Sequence, residues 1–380
     1  MTYEYQTTQR YFVQVADDLA ELAGEELRSL GAGDVATVYR GLRITADPAT
    51  LYRVNLHSRL VNRVLAPLAT FDCHSDRYLY KRVKEIPWED FLTTEQTLAV
   101  FAQVSHSRIK HSRYAALKLK DAVVDRFRDR TGRRPSVDTR APDLWINLHL
   151  DNNRATVSLD TSGGSLHRRG YRRSSVEAPM IETLAAAVVC MTGWEGASPL
   201  YDPLCGSGTL LCEAFLLASK TPAGFLRDSF GFERLPDFDP GLWDRVRQQG
   251  LAGIRTLPPG LISGSDRDPE AVQAARQNCS LLDHGGAIQV ARRDMFDIPA
   301  LEDTTIVCNP PYGIRLGNRS DLGDFYKRLG DFLKQRCTGS TAFIYFGDRT
   351  LLKSIGLRPT WKKPLRNAGL DGRLARFELY

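Results

Sequence analysis

Ile306-Val307-Cys308-Asn309-Pro310-Pro311-Tyr312-Gly313 is the stretch that most restricts how this chain can fold. An apolar run of strand-forming residues gives way at once to Asn-Pro-Pro-Tyr. Pro310 and Pro311 carry no amide hydrogen, so a sheet ladder must stop there. Each proline also drives the residue before it into extended geometry. A buried strand therefore ends in a stiff loop, and open α/β sheets place their ligands at such carboxyl ends. The Asn309 side-chain carbonyl and the Pro310 backbone carbonyl offer two acceptors, and Tyr312 offers an aromatic face. Two acceptors beside a stacking surface suit a planar base bearing an exocyclic amine. Four residues are a short motif, and a proline-rich turn after a core strand is the plainer reading of them alone.

The chain has 380 residues, enough for two or three domains, and its 42% hydrophobic content supports real cores. A formal charge of +6 is a mild excess that points toward an acidic partner. No N-terminal apolar stretch of signal-peptide type is present, and no run is long enough to span a bilayer, so no membrane partner is expected. The seven cysteines are scattered and never form Cys-x-x-Cys. That spacing argues against a disulfide framework or a zinc site and for a reducing cytoplasm. The seven histidines show no metal-ligand spacing either, so no metal is expected.

Residues 10–15 read as a strand and Asp18 to Leu30 as a helix, with Leu19, Leu22, Ala23, Glu26, Leu27 and Leu30 at helical spacing. Val35 to Tyr39 and Leu42 to Ile44 flank a hairpin-like Arg40-Gly41, and 48–60 returns to helical spacing, so a small α+β unit is expected. Charge then becomes uneven. Residues 101–140 hold eleven Lys or Arg against four Asp or Glu, a net of +7 that exceeds the excess of the whole chain. The bases Arg108, Lys110, Arg113, Lys118, Lys120, Arg126, Arg128, Arg130, Arg133 and Arg134 are interleaved. Residues 115–129 read as a helix with Leu117, Val124 and Phe127 inward. Val137 to Thr139, Leu144 to Leu150 and Ala155 to Leu159 are strand-like, with a turn at Asp151-Asn152-Asn153. Such a run can be a solvated helix face; concentration of the charge excess in one segment favours a phosphate-contacting surface.

The Ser/Gly-rich stretch 161–176 carries Arg168, Arg169, Arg172 and Arg173 and marks a boundary. It reads as a basic linker or as a set of arginines at the mouth of a site. Glu177-Ala178-Pro179-Met180 then opens an apolar helix through Val189. Residues 199–214 form a strand, a Gly-x-Gly turn at Gly206 and Gly208, and a helix. Such glycines let backbone approach a ligand closely. The third glycine of a dinucleotide fingerprint is missing, which disfavours nicotinamide binding. About 60 residues on, Leu261 to Asp266 is a second strand with an acid at its tip, placed to accept ribose hydroxyls. Asp268 is the better helix cap of that pair. Ile288 to Phe296 holds a third strand ending at Asp294, which could accept from an adenine amine. The proline-rich 219–258 is expected to be an irregular insertion. Asp324 to Leu333 reads as a helix, and Thr341 to Phe346 and Ala375 to Tyr380 as strands.

Four strand ends in the order Gly-x-Gly, acid, acid, Asn-Pro-Pro-Tyr resemble a class I S-adenosylmethionine-dependent methyltransferase of the amino-methylating branch. The resemblance implies that the loop Gly206, Ser207 and Gly208 holds the methionine part of S-adenosylmethionine, Asp266 the ribose and Asp294 the adenine, with Asp202, Pro203, Cys205 and Asn309 also binding the cofactor. It implies a catalytic role for Asn309, Pro310 and Tyr312. In such a turn the late Asn-Gly is usually adjacent; here Ala368 intervenes, and Asn367 receives no site role. Upstream, Val104-Ser105-His106-Ser107, Ala116 to Asp125 and Gly132 to Asp138 resemble the THUMP domain, a small RNA-binding module usually preceded by a ferredoxin-like unit. Asp160 to Arg172 resembles the hinge of bacterial THUMP-containing rRNA methyltransferases. The expected architecture is therefore α/β: a ferredoxin-like unit at 1–60, a THUMP domain at 61–160, a basic hinge at 161–178 and a Rossmann-like methyltransferase domain at 179–380. The expected partner is structured RNA, gripped by Arg108, Lys110, Arg113, Lys118, Lys120, Arg133, Arg134 and the hinge arginines. The resemblance is closest to 23S rRNA guanine N2-methyltransferases. The tRNA guanine N2-methyltransferases, adenine N6-methyltransferases and an inert RNA-binding scaffold are the alternatives, and a monomer is expected.

Overall fold

The computed structural model describes residues 2–174, 180–312, 319–367 and 370–380. The chain divides into two compact units: Met1–Leu166 with Arg227–Gln249, and His167–Leu226 with Gly250–Tyr380.

The first unit is built on one sheet. Its strands are β1 (Arg10–Gln14), β2 (Gly33–Val38), β3 (Gly41–Thr45), β4 (Arg63–Asp72), β5 (Thr97–Ser105), β6 (Ser136–Val137), β7 (Leu144–Asp151) and β8 (Arg154–Asp160), in the order β2-β3-β1-β4-β8-β7-β5-β6. Period-two alternation drives β1: Tyr11 and Val13 are buried while Arg10 is exposed. The ten residues of β4 pair antiparallel with β1 on one side and with β8 on the other. The stretch 61–100, for which no element is expected from the sequence, thus supplies the strand that makes the sheet continuous.

The helix expected at 115–129 spans Ser112–Thr131 and stops at Gly132, whose φ is +71°. Val124 and Phe127 are buried as expected, but Leu117 is 50% exposed. The inward stripe is Ala115, Leu119, Ala122 and Val123. Alanines carry little apolar signal, so the sequence pattern points to Leu117 while the buried face turns on Ala115 and Ala122.

The expected irregular insertion is also more ordered than its prolines suggest. Pro240–Ala252 is a helix, with Pro240 as its first residue, where a missing amide costs nothing. The Asp239 side chain accepts from the Leu242 amide at 2.9 Å and caps that end. Within the first unit, Phe232 stacks on Tyr52 at 4.4 Å between ring centroids, and Trp243 packs edge-on against Phe232 at 5.1 Å. The Phe232 amide donates to the Thr161 carbonyl at 2.8 Å. A Cβ on Gly231 would lie 2.0 Å from the Asp160 carbonyl, so only glycine permits this approach.

The second unit holds β9 (Leu200–Asp202), β10 (Ile262–Asp266), β11 (Gln289–Arg292), β12 (Thr305–Cys308), β13 (Thr341–Phe346), β14 (Trp361–Pro364) and β15 (Arg373–Glu378). Their order is β11-β10-β9-β12-β13-β15-β14, parallel through β13, with β15 antiparallel to β13. Ile306, Val307 and Cys308 are fully buried, as a central parallel strand requires. Ile306, Cys308 and Ile344 pack with Tyr326 and Leu329 of the helix Arg319–Arg336, which extends beyond the expected Asp324 to Leu333. Strand order reverses between β9 and β12, the place where such sheets open a crevice. Of the apolar helix expected to open at Glu177-Ala178-Pro179, Glu182–Thr192 is described; those opening residues lie outside the described ones, as do Gly313, Ala368 and Gly369. Among the described residues, no helix is long and apolar enough to cross a membrane.

Phe232→Ala removes a fully buried ring, a change that costs about 3–5 kcal/mol in protein cores. Urea unfolding of the full chain should show a correspondingly earlier transition; an unchanged midpoint would mean that segment 227–249 contributes nothing to the fold.

Candidate cofactor and base site

A cavity of about 320 Å³ opens at the carboxyl ends of β9, β10, β11 and β12, in the size range of small-molecule sites, about 300–1,000 Å³. Its walls come from all four strand ends that the sequence singled out: Asp202, Cys205, Gly206 and Ser207 after β9, Asp266 at the tip of β10, Asp294 after β11, and Asn309 to Tyr312 after β12.

Asp202 is buried and accepts from the Leu204 amide at 2.9 Å. Burial pushes its carboxyl well above the usual carboxylate range, and the neighbouring Asp266 charge adds to that. The turn that follows has Gly206 at φ +53° and Gly208 at φ +80°. Pro203 and Gly208 are buried and are not among the lining residues. A Cβ on Gly208 would sit 3.1 Å from the Ala275 Cβ, so this glycine serves the packing of the turn on the helix Pro269–Ser280 rather than an approach to a ligand. Asp266 accepts from the Gly206 amide and from the Asp268 amide, each at 3.0 Å, which fixes its carboxylate at the cavity wall. Asp268 caps the helix through the Glu270 amide at 2.9 Å, as its spacing predicts. Asp294 accepts from the Phe296 amide at 3.0 Å and caps a short turn, and the residue lines the cavity.

Asn309 holds the informative atom. Its Oδ1 is buried and has no hydrogen-bond partner among the described residues. A buried acceptor left unmade is costly, which makes this atom a candidate position for an incoming donor. The loop beyond it is braced: the Tyr326 hydroxyl donates to the Pro311 carbonyl at 3.4 Å. Tyr312 lies face-on to Gly347, where a Cβ would meet three ring carbons at 2.6 Å. Its ring also meets Tyr345 edge-on at 6.3 Å, and its hydroxyl accepts from Asn367 Nδ2 at 3.5 Å. No local motif points to Gly347, and Asn367, which receives no site role from the sequence, touches the Tyr312 hydroxyl. Gly347 directly follows β13, the strand beside the Asn-Pro-Pro-Tyr strand, and that adjacency is the signal that marks it.

The basic residues divide sharply. Lys118 pairs with Asp76 at 3.9 Å, Lys120 with Asp121, and Arg133 with Glu95 at 2.8 Å. Arg126 and Arg130 both pair with Glu89 at 2.9 Å. Arg108, Lys110, Arg113 and Arg134 are exposed and have no carboxylate partner among the described residues. The hinge arginines need correction. Arg169 is 2% exposed, its Nε 3.4 Å from Glu213 Oε1, and so cannot face an RNA. Arg172 is turned inward on Glu182 at 2.9 Å. Arg168 and Arg173 remain exposed. Among the described residues no cluster of His, Cys, Asp or Glu could hold a metal ion.

Comparison with known proteins settles the family. An RMKL-like methyltransferase domain matches residues 169–376, a THUMP domain residues 74–160 and an RlmL ferredoxin-like domain residues 10–65. The chain belongs to the RMKL-like methyltransferase family. The Synechocystis protein slr0064, whose name carries the words RNA methyltransferase, is 44% identical over 98% of this chain and 98% of its own. Proteins named ribosomal RNA large subunit methyltransferase K/L are 40% identical in Syntrophotalea carbinolica, over 97% of this chain and 53% of that one, and 36% identical in Aliivibrio salmonicida, over 95% and 52%. The chain thus spans about half the length of these K/L relatives. Among solved structures, SMU.472 in complex with SAH superposes with a TM-score of 0.85 at 26% identity, over 100% of this chain and 99% of that one. A Listeria monocytogenes protein named as an N6-adenine-specific DNA methylase gives 0.83 at 26%, over 98% and 96%.

This family member is therefore a methyltransferase whose donor is S-adenosylmethionine, with a Rossmann-like domain behind ferredoxin-like and THUMP domains. The cavity fits that donor: acids at two successive strand ends, a tight glycine turn, and a buried acceptor beyond them.

Gly347→Ala should push the Tyr312 ring off its seat. Methyl transfer is expected to fall at least tenfold, about 1.4 kcal/mol of barrier, with SAH affinity unchanged in calorimetry. In a Tyr312→Ala background the same change should cost little more, because the two act through one contact.

Proposed function

We propose that this chain methylates the exocyclic N2 amine of a guanine in 23S ribosomal RNA. The observation that carries the reading is the unpartnered, buried Asn309 Oδ1 in a cavity walled by the strand-end acids. The names of the K/L relatives support ribosomal RNA as the substrate.

In this reading Asp266 accepts the ribose hydroxyls of the donor, Asp294 its adenine amine, and the turn at Asp202, Cys205, Gly206 and Ser207 its methionine end, with Pro203 and Gly208 shaping that turn. When bound, the donor supplies a methyl group already activated on a positively charged sulfur. An exocyclic amine is a poor nucleophile because its lone pair is delocalised into the ring. Asn309 Oδ1 and the Pro310 carbonyl each accept one of its N–H bonds, which draws the nitrogen toward a tetrahedral geometry. Tyr312 stacks on the base, a contact typically worth about 1–3 kcal/mol. The stiffness of Pro310-Pro311 matters most, since alignment of reacting atoms can supply up to about 7–11 kcal/mol of the barrier. The methylated ammonium loses its proton readily, so no basic side chain is required. We place the reaction in the cytoplasm, where the seven free cysteines stay reduced, and propose a monomer.

Asn-Pro-Pro-Tyr suits an adenine N6 amine equally, and the name of the Listeria structural relative favours that second reading. Mass spectrometry of modified nucleosides in rRNA and tRNA from a deletion strain separates guanine N2 from adenine N6 and one RNA from the other.

Asn309→Ala should abolish transfer while SAH still binds. Turnover comparable to wild type would remove Asn309 from catalysis. For RNA contacts we propose Arg108, Lys110, Arg113 and Arg134, which have no carboxylate partner among the described residues, together with Arg168 and Arg173 on the ground of their exposure alone. Substituting Arg108, Lys110 and Arg113 together by alanine should lower the slope of log affinity against log salt by about 2–3. Lys120→Ala with Arg133→Ala should leave that slope unchanged in the same filter-binding assay; an equal loss in both sets would defeat the sorting.

A further inference from the structure

The segment that opens the second unit, His167 onward, is not a loose basic linker. It is bonded to the turn that follows β9. Tyr171 is 1% exposed, and its hydroxyl donates to Glu213 Oε1 at 2.8 Å, the oxygen that Arg169 also approaches. Arg172 Nη2 donates to the Met180 carbonyl at 2.7 Å and to Thr209 Oγ1 at 3.1 Å, and both of those residues line the cavity.

The decisive residue is Asn278, on the helix Pro269–Ser280 and 1% exposed. Its Oδ1 accepts from the Arg173 amide at 3.0 Å and from the Ser174 amide at 3.1 Å. Its Nδ2 donates to the Ser174 carbonyl at 2.8 Å and to the Ser207 carbonyl at 3.0 Å. A carboxamide has two donor hydrogens and two acceptor lone pairs, so every one is used. The Ser207–Gly208 peptide is consequently held at both of its polar ends. Its carbonyl is bound by Asn278, and its amide donates to the Cys205 carbonyl at 2.8 Å. Because a peptide group is planar, fixing both ends fixes the orientation of the turn at its most flexible point, between two glycines with positive φ.

We propose that residues 171–174 form a strap that holds the donor-binding turn in shape, with Asn278 and Arg172 as its positioning residues. The proposal rests on the reading that the Cys205-to-Thr209 turn holds the donor. It reassigns two of the four hinge arginines from the RNA to the cofactor. Linkage adds a second consequence: whatever binds the turn must tighten the strap, and by the same factor.

The test uses the full chain, with SAH as the probe. Asn278→Asp keeps the acceptor for the two amides and removes the donors to Ser174 and Ser207. Arg172→Gln is the second variant, in case a buried carboxylate at 278 prevents folding. Each should weaken SAH binding tenfold or more by calorimetry and raise the KM for the donor more than it lowers kcat, while RNA affinity by filter binding stays at the wild-type value. Trypsin cleavage after the exposed Arg173 should be slowed by SAH in the wild type and not in Asn278→Asp. Wild-type SAH affinity in both variants would overturn the strap and leave the donor site standing. Equal losses of SAH and RNA affinity with a lowered unfolding midpoint would reduce Asn278 to a structural residue and also overturn it. Failure of the wild type to bind SAH would instead remove the donor-site reading beneath the proposal.

Discussion

Strand β12 is locked on both sides, by parallel pairing to β9 and to β13, the latter running through Cys308 opposite Ile344. That pairing leaves no freedom in where the strand stops. Two prolines then remove the amides that would continue the ladder, and the chain must leave the sheet at Asn309. Everything at the site follows from that forced exit. Asn309 arrives beside the strand-end acids of β10 and β11. Tyr312 arrives over Gly347, which leaves β13 one residue after Phe346. A softer exit would let the acceptor and the ring wander from the cavity wall.

The strand-end residues were legible because each is tied to its neighbours by backbone geometry. Proline, glycine and a terminal carboxylate announce a position before any partner is known. Asp268 was separable from Asp266 for the same reason, a capping role being local in sequence. Arg169 and Arg172 could not be separated from Arg168 and Arg173 that way. All four look alike in a Ser/Gly-rich stretch, and what distinguishes them is Glu213 and Glu182, which meet them only in the folded chain. Leu117 misled because its true inward neighbours include two alanines, and Asn278 was silent because nothing near it in sequence hints at a four-bonded amide.

Charge shows the same division between local and distant information. A net of +7 over forty residues is a fact of composition, yet Asp76, Glu89 and Glu95, all upstream of that window, come back to neutralise much of it. Exposed ion pairs of this kind add little stability. Their effect is subtractive: among the described residues of that window they leave Arg108, Lys110 and Arg113 near the start of one helix, and Arg134 and Arg140 past its end, without a carboxylate partner. A diffuse basic face becomes a pair of defined charged edges.

The excursion at Arg227–Gln249 means that the backbone passes from one unit to the other three times, at 166–167, 226–227 and 249–250. No single scission can release an intact catalytic half. A fragment beginning at His167 would carry Phe232 and Trp243 without Tyr52, presenting an orphaned aromatic surface prone to aggregate. A fragment ending at Leu166 would lack the covering for the same ring. Gene fission between these halves is thereby penalised at both products, and they are bound to be inherited together.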